Sequence, residues 1–133
     1  MTKQTGQGPR YTDSDYLVKK LATGIPGILS TYWLSADGKS HRFLFVSDQV
    51  QNILGINAGG LRENAAAMFS TIHPDDVAGV YASIAESALA LTPWWYQARL
   101  KVKAGHFEWF ESHSSPERQA DGSTIWYGHV HNI

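Results

Sequence analysis

The stretch His73-Pro74-Asp75-Asp76 lies between two apolar segments with helical patterns, and the fold prediction starts from it. Pro74 suits the first position of a helix, because its missing N–H would be unsatisfied there and its fixed φ is already helical. Asp75 and Asp76 then lie in the first turn, where carboxylates favour the positive end of the helix dipole. The stretch therefore predicts a helix start, and this role accounts for both acids without acid–base chemistry.

The segments on either side carry helical hydrophobic patterns. Residues 61–72 contain good helix formers and predict one helix with a largely buried face. In residues 77–91, apolar side chains recur at helical spacing, which predicts a second helix with one covered stripe. Thr92-Pro93 ends that helix, because proline cannot continue it.

From Trp94 onward the hydrophobic pattern changes to strict alternation, which predicts strands. Residues 94–102 form the first of them, with one apolar face, and Ala104-Gly105 is expected to be a two-residue hairpin turn. This turn sets the register, pairing Val102 with Phe107, Lys101 with Glu108 and Leu100 with Trp109. The same register turns Glu111 inward.

The first half of the chain predicts a hairpin followed by short helical segments. Residues 28–46 are expected to form the hairpin, with its turn at Asp37-Gly38. Ser47 is expected to cap a short helix that ends at Gly55, and Ala58-Gly59-Gly60 to form a loop. The order of elements predicts an α+β fold, with a five-stranded antiparallel sheet and helices packed on one face.

The N-terminal residues are expected to differ from the rest. Residues 1–12 are polar and rich in Gly and Gln, so we expect them to be disordered or left over from cloning. A flanking amphipathic helix containing Tyr16, Leu17 and Leu21 is expected to follow. Residues 13–133 are then expected to form a single domain.

Composition excludes several classes of function. The 133 residues carry a formal net charge of -1, so there is no electrostatic case for nucleic acid or an anionic membrane. The absence of cysteine excludes disulfides, thiolate metal sites and cysteine catalysis. No apolar run approaches the roughly 20 residues needed to span a bilayer. We therefore expect a cytoplasmic location, although a domain cut from a membrane receptor would have the same composition.

With this order of elements, the sequence resembles a PAS (Per-Arnt-Sim) sensory domain, in particular the subgroup with His-Pro-Asp-Asp and a Trp-containing penultimate strand. The resemblance covers residues 16–133. The matching motifs are Ile25-Pro26-Gly27, Phe45-Val46-Ser47, Leu54-Gly55, His73-Pro74-Asp75-Asp76, Arg99, Gly105-His106-Phe107-Glu108-Trp109, Asp121-Gly122 and Gly128-His129-Val130-His131-Asn132-Ile133. Asn132 replaces the acid of the family's terminal Asp-Ile-Thr, and the sequence stops before the Thr.

The resemblance implies a cavity between the sheet and the helices that can hold a small molecule. The candidate ligand-binding residues are Phe69, Ile72, Tyr81, Ile84, Tyr96, Leu100 and Trp109. For any one of them, ordinary hydrophobic core is the favoured interpretation, because apolar stripes are usually packing. The cofactor is unknown. The family's cysteinyl-flavin chemistry needs a cysteine that the chain lacks. Haem is disfavoured, because haem-binding members take an axial His from the long helix and residues 77–91 contain no His.

Other polar groups are weaker candidates for chemistry. His129 and His131 are expected to face outward on the last strand, 125–131. Two imidazoles on one strand face are one half of a metal site in a weaker alternative, with His113 or Glu111 as the third ligand. No third ligand is fixed by spacing, so a solvent-exposed or dimer-facing histidine pair is favoured and no metal is assigned. No catalytic residue is assigned either.

Taken together, the resemblance implies a noncatalytic sensory domain of a larger signal-transduction protein, such as a histidine kinase or cyclic-dinucleotide enzyme. It would sense a small ligand and relay the signal through its last strand to an output domain after Ile133. One alternative is a ligand-free PAS scaffold for dimerisation or docking. Another is a small α+β enzyme, for which Glu111 is the only pocket carboxylate that the expected register supplies.

We expect a homodimer formed through the N-terminal helix, because Tyr16, Leu17 and Leu21 would bury apolar surface against the outer face of the sheet or a second copy. Sedimentation velocity at high protein concentration tests this expectation. A strict monomer under those conditions would contradict it.

Overall fold

The computed structural model describes residues 27–133, which form five strands and four helices. The strands β1 to β5 are Ile28–Leu34, His41–Val46, Trp94–Lys101, Phe107–Arg118 and Thr124–Asn132. The helices α1 to α4 are Gln49–Leu54, Ala58–Leu61, Ala66–Phe69 and Pro74–Ala90. The expectations for residues 1–12 and for the helix with Tyr16, Leu17 and Leu21 lie outside the described residues.

The five strands form one antiparallel sheet in the order β2-β1-β5-β4-β3. Buried side chains from the strands and the helices form one hydrophobic cluster, in which Val80 and Ile84 of α4 join Ala98, Phe110 and Trp126 of the sheet. The predicted α+β class is therefore confirmed. Within residues 27–133, no helix is long and apolar enough to cross a membrane.

The helical segments before α4 differ from the prediction. The prediction of a single helix over residues 61–72 is wrong, because α2 and α3 are separate one-turn helices. Between them, the Asn64 side chain accepts from the Ala66 N–H at 2.8 Å, just before α3. The loop expected at Ala58-Gly59-Gly60 is helical, because the Asn57 side chain accepts from the N–H of Gly59 at 2.7 Å. A polar N-cap, Asn57, therefore decides where α2 begins, whereas the N-cap of α3 is Ala65 and the Asn64 side chain bonds the first turn from one residue earlier.

The prediction that the Ser47 side chain caps α1 is wrong. Asp48 occupies the N-cap position. The Ser47 hydroxyl instead accepts from the Leu29 N–H at 3.0 Å, and the Ser47 N–H donates to the Leu29 carbonyl at 2.8 Å. Ser47 thus joins the start of α1 to β1, and α1 ends at Gly55 as predicted, with φ at 73°.

The His73-Pro74-Asp75-Asp76 stretch begins α4 as predicted, with Pro74 as the first helical residue. The cap itself is His73, whose Nδ1 accepts from the Asp75 N–H at 3.0 Å. Histidine is not among the usual capping residues, which is why sequence patterns did not identify this role. The helix ends at Leu91, which adopts a left-handed φ of 54° before Thr92-Pro93.

Asp76 joins the start of α4 to the edge strand β3. Its Oδ1 accepts from Arg99 Nη2 at 2.8 Å, while its Oδ2 accepts from Arg99 Nε and from the Arg99 backbone N–H, both at 2.9 Å. The His73 N–H donates to the Arg99 carbonyl and the Lys101 N–H to the Thr71 carbonyl, both at 2.8 Å. The segment before α4 therefore runs along β3 as a short extension of the sheet.

The register of the β3–β4 hairpin is shifted by one residue from the prediction. The Val102 N–H donates to the His106 carbonyl at 2.8 Å, which closes a three-residue turn in which Gly105 has a φ of 103°. Arg99 therefore lies opposite Trp109, Leu100 opposite Glu108 and Lys101 opposite Phe107. The pairs predicted from a two-residue turn are wrong, because a shift of one residue moves every β4 side chain to the other face.

This shift defines two faces of the sheet. The inner face packs on the helices and carries Phe110, Ser112 and Ser114 of β4. The outer face carries Trp109 and Phe107. The Arg99 guanidinium lies 5.0 Å from the centre of the Trp109 ring. Lys101 Nζ lies 5.8 Å from the centre of the Phe107 ring. Trp109 is 47% exposed, whereas Phe110 is 2% exposed.

The Asp76–Arg99 pair predicts a specific acid sensitivity. Its hydrogen bonds with Arg99 lower the pKa of Asp76 from 3.8 to about 2. A depressed folded-state pKa adds stability above pH 3.8 that is lost as the pH falls toward 2. We expect Asp76→Asn to flatten the acid limb of the stability profile in that window, measured by urea unfolding at each pH.

At pH 7, Asp76→Ala is expected to lower the free energy of unfolding by about 2–3 kcal/mol, because the Arg99 donors lose a charged acceptor. Asp75→Ala is the matched control, since its side chain is 78% exposed and a first-turn carboxylate contributes about 0.3–1 kcal/mol. Equal losses for the two variants would contradict this role for Asp76.

Candidate functional site

A cavity of about 90 Å³ lies between the inner face of the sheet and helices α3 and α4. Its helix side is formed by Met68, Phe69, Val80 and Ile84. Its other borders combine aromatic, aliphatic and serine side chains. The aromatic residues that line it are Tyr32, Phe43, Phe69, Trp94, Tyr96, Phe110 and Trp126.

Five of the seven predicted ligand-binding residues line this cavity. They are Phe69, Ile72, Ile84, Tyr96 and Leu100. Tyr81 does not line it; this residue is 47% exposed and its ring stacks on Phe69 at 5.1 Å. Trp109 lies on the outer face, because the extra turn residue reversed its direction. The cavity residues that sequence analysis missed on β4 are Phe110, Ser112 and Ser114, and the signal that could have found them was Gly105 as the last residue of a three-residue turn.

Small residues on the three central strands leave room for the cavity. Ser30 of β1 and Ser114 of β4 both pair with Gly128 of β5, and both serines line the cavity. A Cβ atom at Gly128 would collide with the His113 carbonyl oxygen and the Ser114 side chain. Glycine is therefore required at this position.

Two indole groups connect the cavity wall to α4. Trp126 Nε1 of β5 donates to Ser87 Oγ at 2.9 Å, and Ser87 Oγ donates to the Thr92 carbonyl at 2.6 Å. On β3, Trp94 Nε1 donates to Ser83 Oγ at 2.7 Å. Both tryptophans line the cavity, so a change in the position of either ring reaches α4 through a hydrogen bond.

Tyr32 and His41 form a second polar contact at the cavity border, with 2.7 Å between the Tyr32 hydroxyl and His41 Nδ1. Burial, and to a smaller extent the neighbouring Tyr81, raise the pKa of Tyr32. Burial lowers the pKa of His41. Both shifts favour the uncharged forms, so this contact is a neutral hydrogen bond near pH 7.

Three stacked imidazoles surround Glu111 on the outer face. The rings of His113, His129 and His131 have centroids 5.3–6.2 Å apart. Nε2 of His113 and of His131 lie 3.5 and 3.6 Å from the Glu111 carboxylate oxygens, and the Trp95 indole donates to the same carboxylate. Among residues 27–133, no group of three or more His, Cys, Asp or Glu side chains is arranged to hold a metal ion.

The environment of Glu111 differs from the prediction. The inward orientation expected for this residue is wrong, because it shares the outer face with His113 and pairs with His131. The hydrogen bond from Trp95 is the largest of the effects that lower the Glu111 pKa. The cavity therefore lacks the carboxylate on which the enzyme alternative depended.

Comparison with known proteins shows which family shares this architecture. A family model described as the PAS fold matches residues 43–131. A segment of the uncharacterized protein y4lL from Sinorhizobium fredii is 33% identical over 69 residues, or 51% of this chain. The matched segment is a small part of that relative, since the chain spans 8% of its length.

Several solved structures share the fold. A domain assigned to a light and redox sensing histidine kinase from Haloarcula marismortui has a TM-score of 0.65 at 19% identity, with 89% of this chain and 98% of that chain covered. The N-terminal domain of a diguanylate cyclase with PAS/PAC sensor from Marinobacter aquaeolei has 0.63 at 16%, covering 79% and 94%. The Drosophila melanogaster Cycle PAS-B domain with bound ethylene glycol has 0.55 at 14%, covering 76% and 98%. At these identities the likeness concerns the fold alone.

The hydrogen bond from Trp126 to Ser87 predicts a stability effect. Ser87→Ala is expected to lower the free energy of unfolding by about 1–3 kcal/mol, because the buried indole N–H loses its acceptor. Ser70→Ala is the matched control, since that exposed hydroxyl bonds only its own turn and its removal should cost less than about 0.5 kcal/mol.

Urea unfolding of Ser87→Ala, Trp126→Phe and the double variant measures the coupling between the two side chains. We expect the double variant to lose less stability than the two single losses added together, because the second change removes a bond already broken. Simple additivity would contradict the coupling.

Proposed function

The chain belongs to the PAS fold family, and from that premise we propose that it is a noncatalytic sensory domain of a larger signal-transduction protein. The domain binds a small molecule in the cavity and relays the event through β5 to an output domain beyond Ile133. The output domain is proposed to be a histidine kinase or a cyclic-dinucleotide enzyme. The names of the structurally similar histidine kinase and diguanylate cyclase support these two classes. A cytoplasmic location and the subgroup with His-Pro-Asp-Asp and a Trp-containing penultimate strand belong to the same proposal.

The observation that carries the proposal is the position of Trp126. This residue is 3% exposed, lines the cavity, sits in the strand next to the C-terminus and donates to Ser87 of α4. A ligand that binds more tightly to one relative position of α4 and the sheet therefore also shifts the population of β5 positions. Its differential affinity for the two arrangements sets the size of the response.

A second candidate function is a ligand-free scaffold for dimerisation or docking. The small cavity volume favours it, and so do the aromatic side chains on the outer face, where Trp95 is 66% and Trp109 47% exposed. The N-terminal helix and a homodimer are part of both proposals. Native mass spectrometry after gentle purification separates them, because a retained ligand adds mass and an empty cavity adds none.

Filling the cavity tests the sensory proposal. Ala98 is 8% exposed, lies on the inner face of β3 and lines the cavity. We expect Ala98→Leu to abolish the added mass in the native spectrum, because the larger side chain occupies the ligand volume. Gln97→Leu is the matched control on the outer face and should retain the added mass.

Circular dichroism of both variants checks that the fold is kept. If native spectra of the unaltered domain show no added mass and small molecules do not raise its melting temperature, the scaffold function is favoured instead. A ligand retained equally by both variants would show that it binds outside the cavity.

A further inference from the structure

We infer that the cavity selects an uncharged, mainly apolar molecule that presents one hydroxyl or carbonyl group to Ser114. This inference rests on the proposed sensory function and narrows the chemistry of the ligand. It is carried by three properties of the cavity: the absence of charged lining residues, one buried hydroxyl without a partner, and a small space with several aromatic rings on its borders.

The first property is electrostatic. Among the described residues that line the cavity, none is Asp, Glu, Lys or Arg. His129 borders it, but its ring stacks on His113 and His131 of the outer face, and burial is the main cause that lowers its pKa. Because an ion without a partner is strongly disfavoured in an apolar site, carboxylate and ammonium ligands are selected against.

The second property is the hydroxyl group of Ser114. Within residues 27–133, its Oγ is the buried side-chain oxygen or nitrogen that has no hydrogen-bond partner. Of the lining hydroxyls, that of Tyr32 is engaged with His41. The hydroxyls of Ser83 and Ser87, which lie behind the wall, are engaged with Trp94 and Trp126. Such an orphan is destabilising unless another molecule supplies its partner.

A serine hydroxyl both donates and accepts, so a ligand hydroxyl or carbonyl satisfies it equally well. The Oγ itself is buried although Ser114 lines the cavity, so contact with a ligand requires rotation about the Cα–Cβ bond to another staggered position. Ser30 and Ser112 also line the cavity, but among the described residues Ser114 is the one whose buried Oγ lacks a partner, so it provides the polar contact that orients the ligand.

The third property is the size and character of the space. The cavity of about 90 Å³ is smaller than the roughly 150 Å³ cavity that holds benzene in an apolar protein core. Trp94 and Tyr96 stack with an interplanar angle of 6°, which gives this border a flat surface. The limited volume therefore favours a compact, uncharged ring or short branched chain with one polar group over a larger molecule.

Three compounds with the same five-membered ring test the inference: cyclopentanol, cyclopentane and cyclopentanecarboxylate. Binding is followed by two-dimensional NMR through the indole N–H signals of Trp94 and Trp126, because both rings line the cavity. We expect cyclopentanol to bind most tightly and the carboxylate at least tenfold more weakly.

Ser114→Ala is expected to weaken cyclopentanol binding about three- to tenfold, because one neutral hydrogen bond is lost, and to leave cyclopentane binding unchanged. Ser115→Ala is the matched control, since this neighbouring side chain is exposed and faces the other way. The same spectra show whether each variant remains folded.

The outcomes separate this inference from the proposed function. If the carboxylate binds as tightly as the alcohol, or Ser114→Ala leaves alcohol binding unchanged, the inference is overturned while ligand binding in the cavity stands. If none of the three compounds shifts the two indole signals, both the inference and the proposed ligand binding are overturned.

Discussion

The contact between Asp76 and Arg99 determines where the long helix lies over the sheet. Three hydrogen bonds to one carboxylate combine charge with fixed direction, and they are among the stronger contacts available to a small domain. The backbone bonds of His73 and Lys101 extend the same connection along β3. Because α4 supplies Val80 and Ile84 to the cavity, this contact also helps to position one wall of the cavity.

Sequence patterns predicted the order of the elements and the start of α4, because proline at the first helical position and strict alternation in strands are local signals. They did not predict the register of the last hairpin. Two-residue and three-residue turns that end in glycine have similar sequences, and the difference lies in whether Gly105 is the last residue of a three-residue turn. That single residue moved Trp109 and Glu111 to the outer face and brought Ser114 to the cavity.

The candidate site shows a second limit of sequence analysis. Apolar stripes identified Phe69, Ile84 and Leu100, because cavity walls and ordinary core have the same composition. Space in the core comes instead from small residues that meet across three strands, as Ser30, Gly128 and Ser114 do. Such a meeting depends on register and topology, so no local pattern in the sequence reveals it.

The central position of β5 restricts how this domain can transmit a change. The strand has hydrogen-bonded neighbours on both sides, β1 and β4, whereas β2 and β3 lie at the edges. Sliding β5 by one position would break two ladders at once and turn Trp126 out of the core. Among the described residues, 124–130 of β5 pair with both β1 and β4, whereas residues 131–132 pair with β4. Motion at the C-terminal end of β5 therefore passes first to β4 and reaches β1 through a change in the twist or tilt of the strand as a whole.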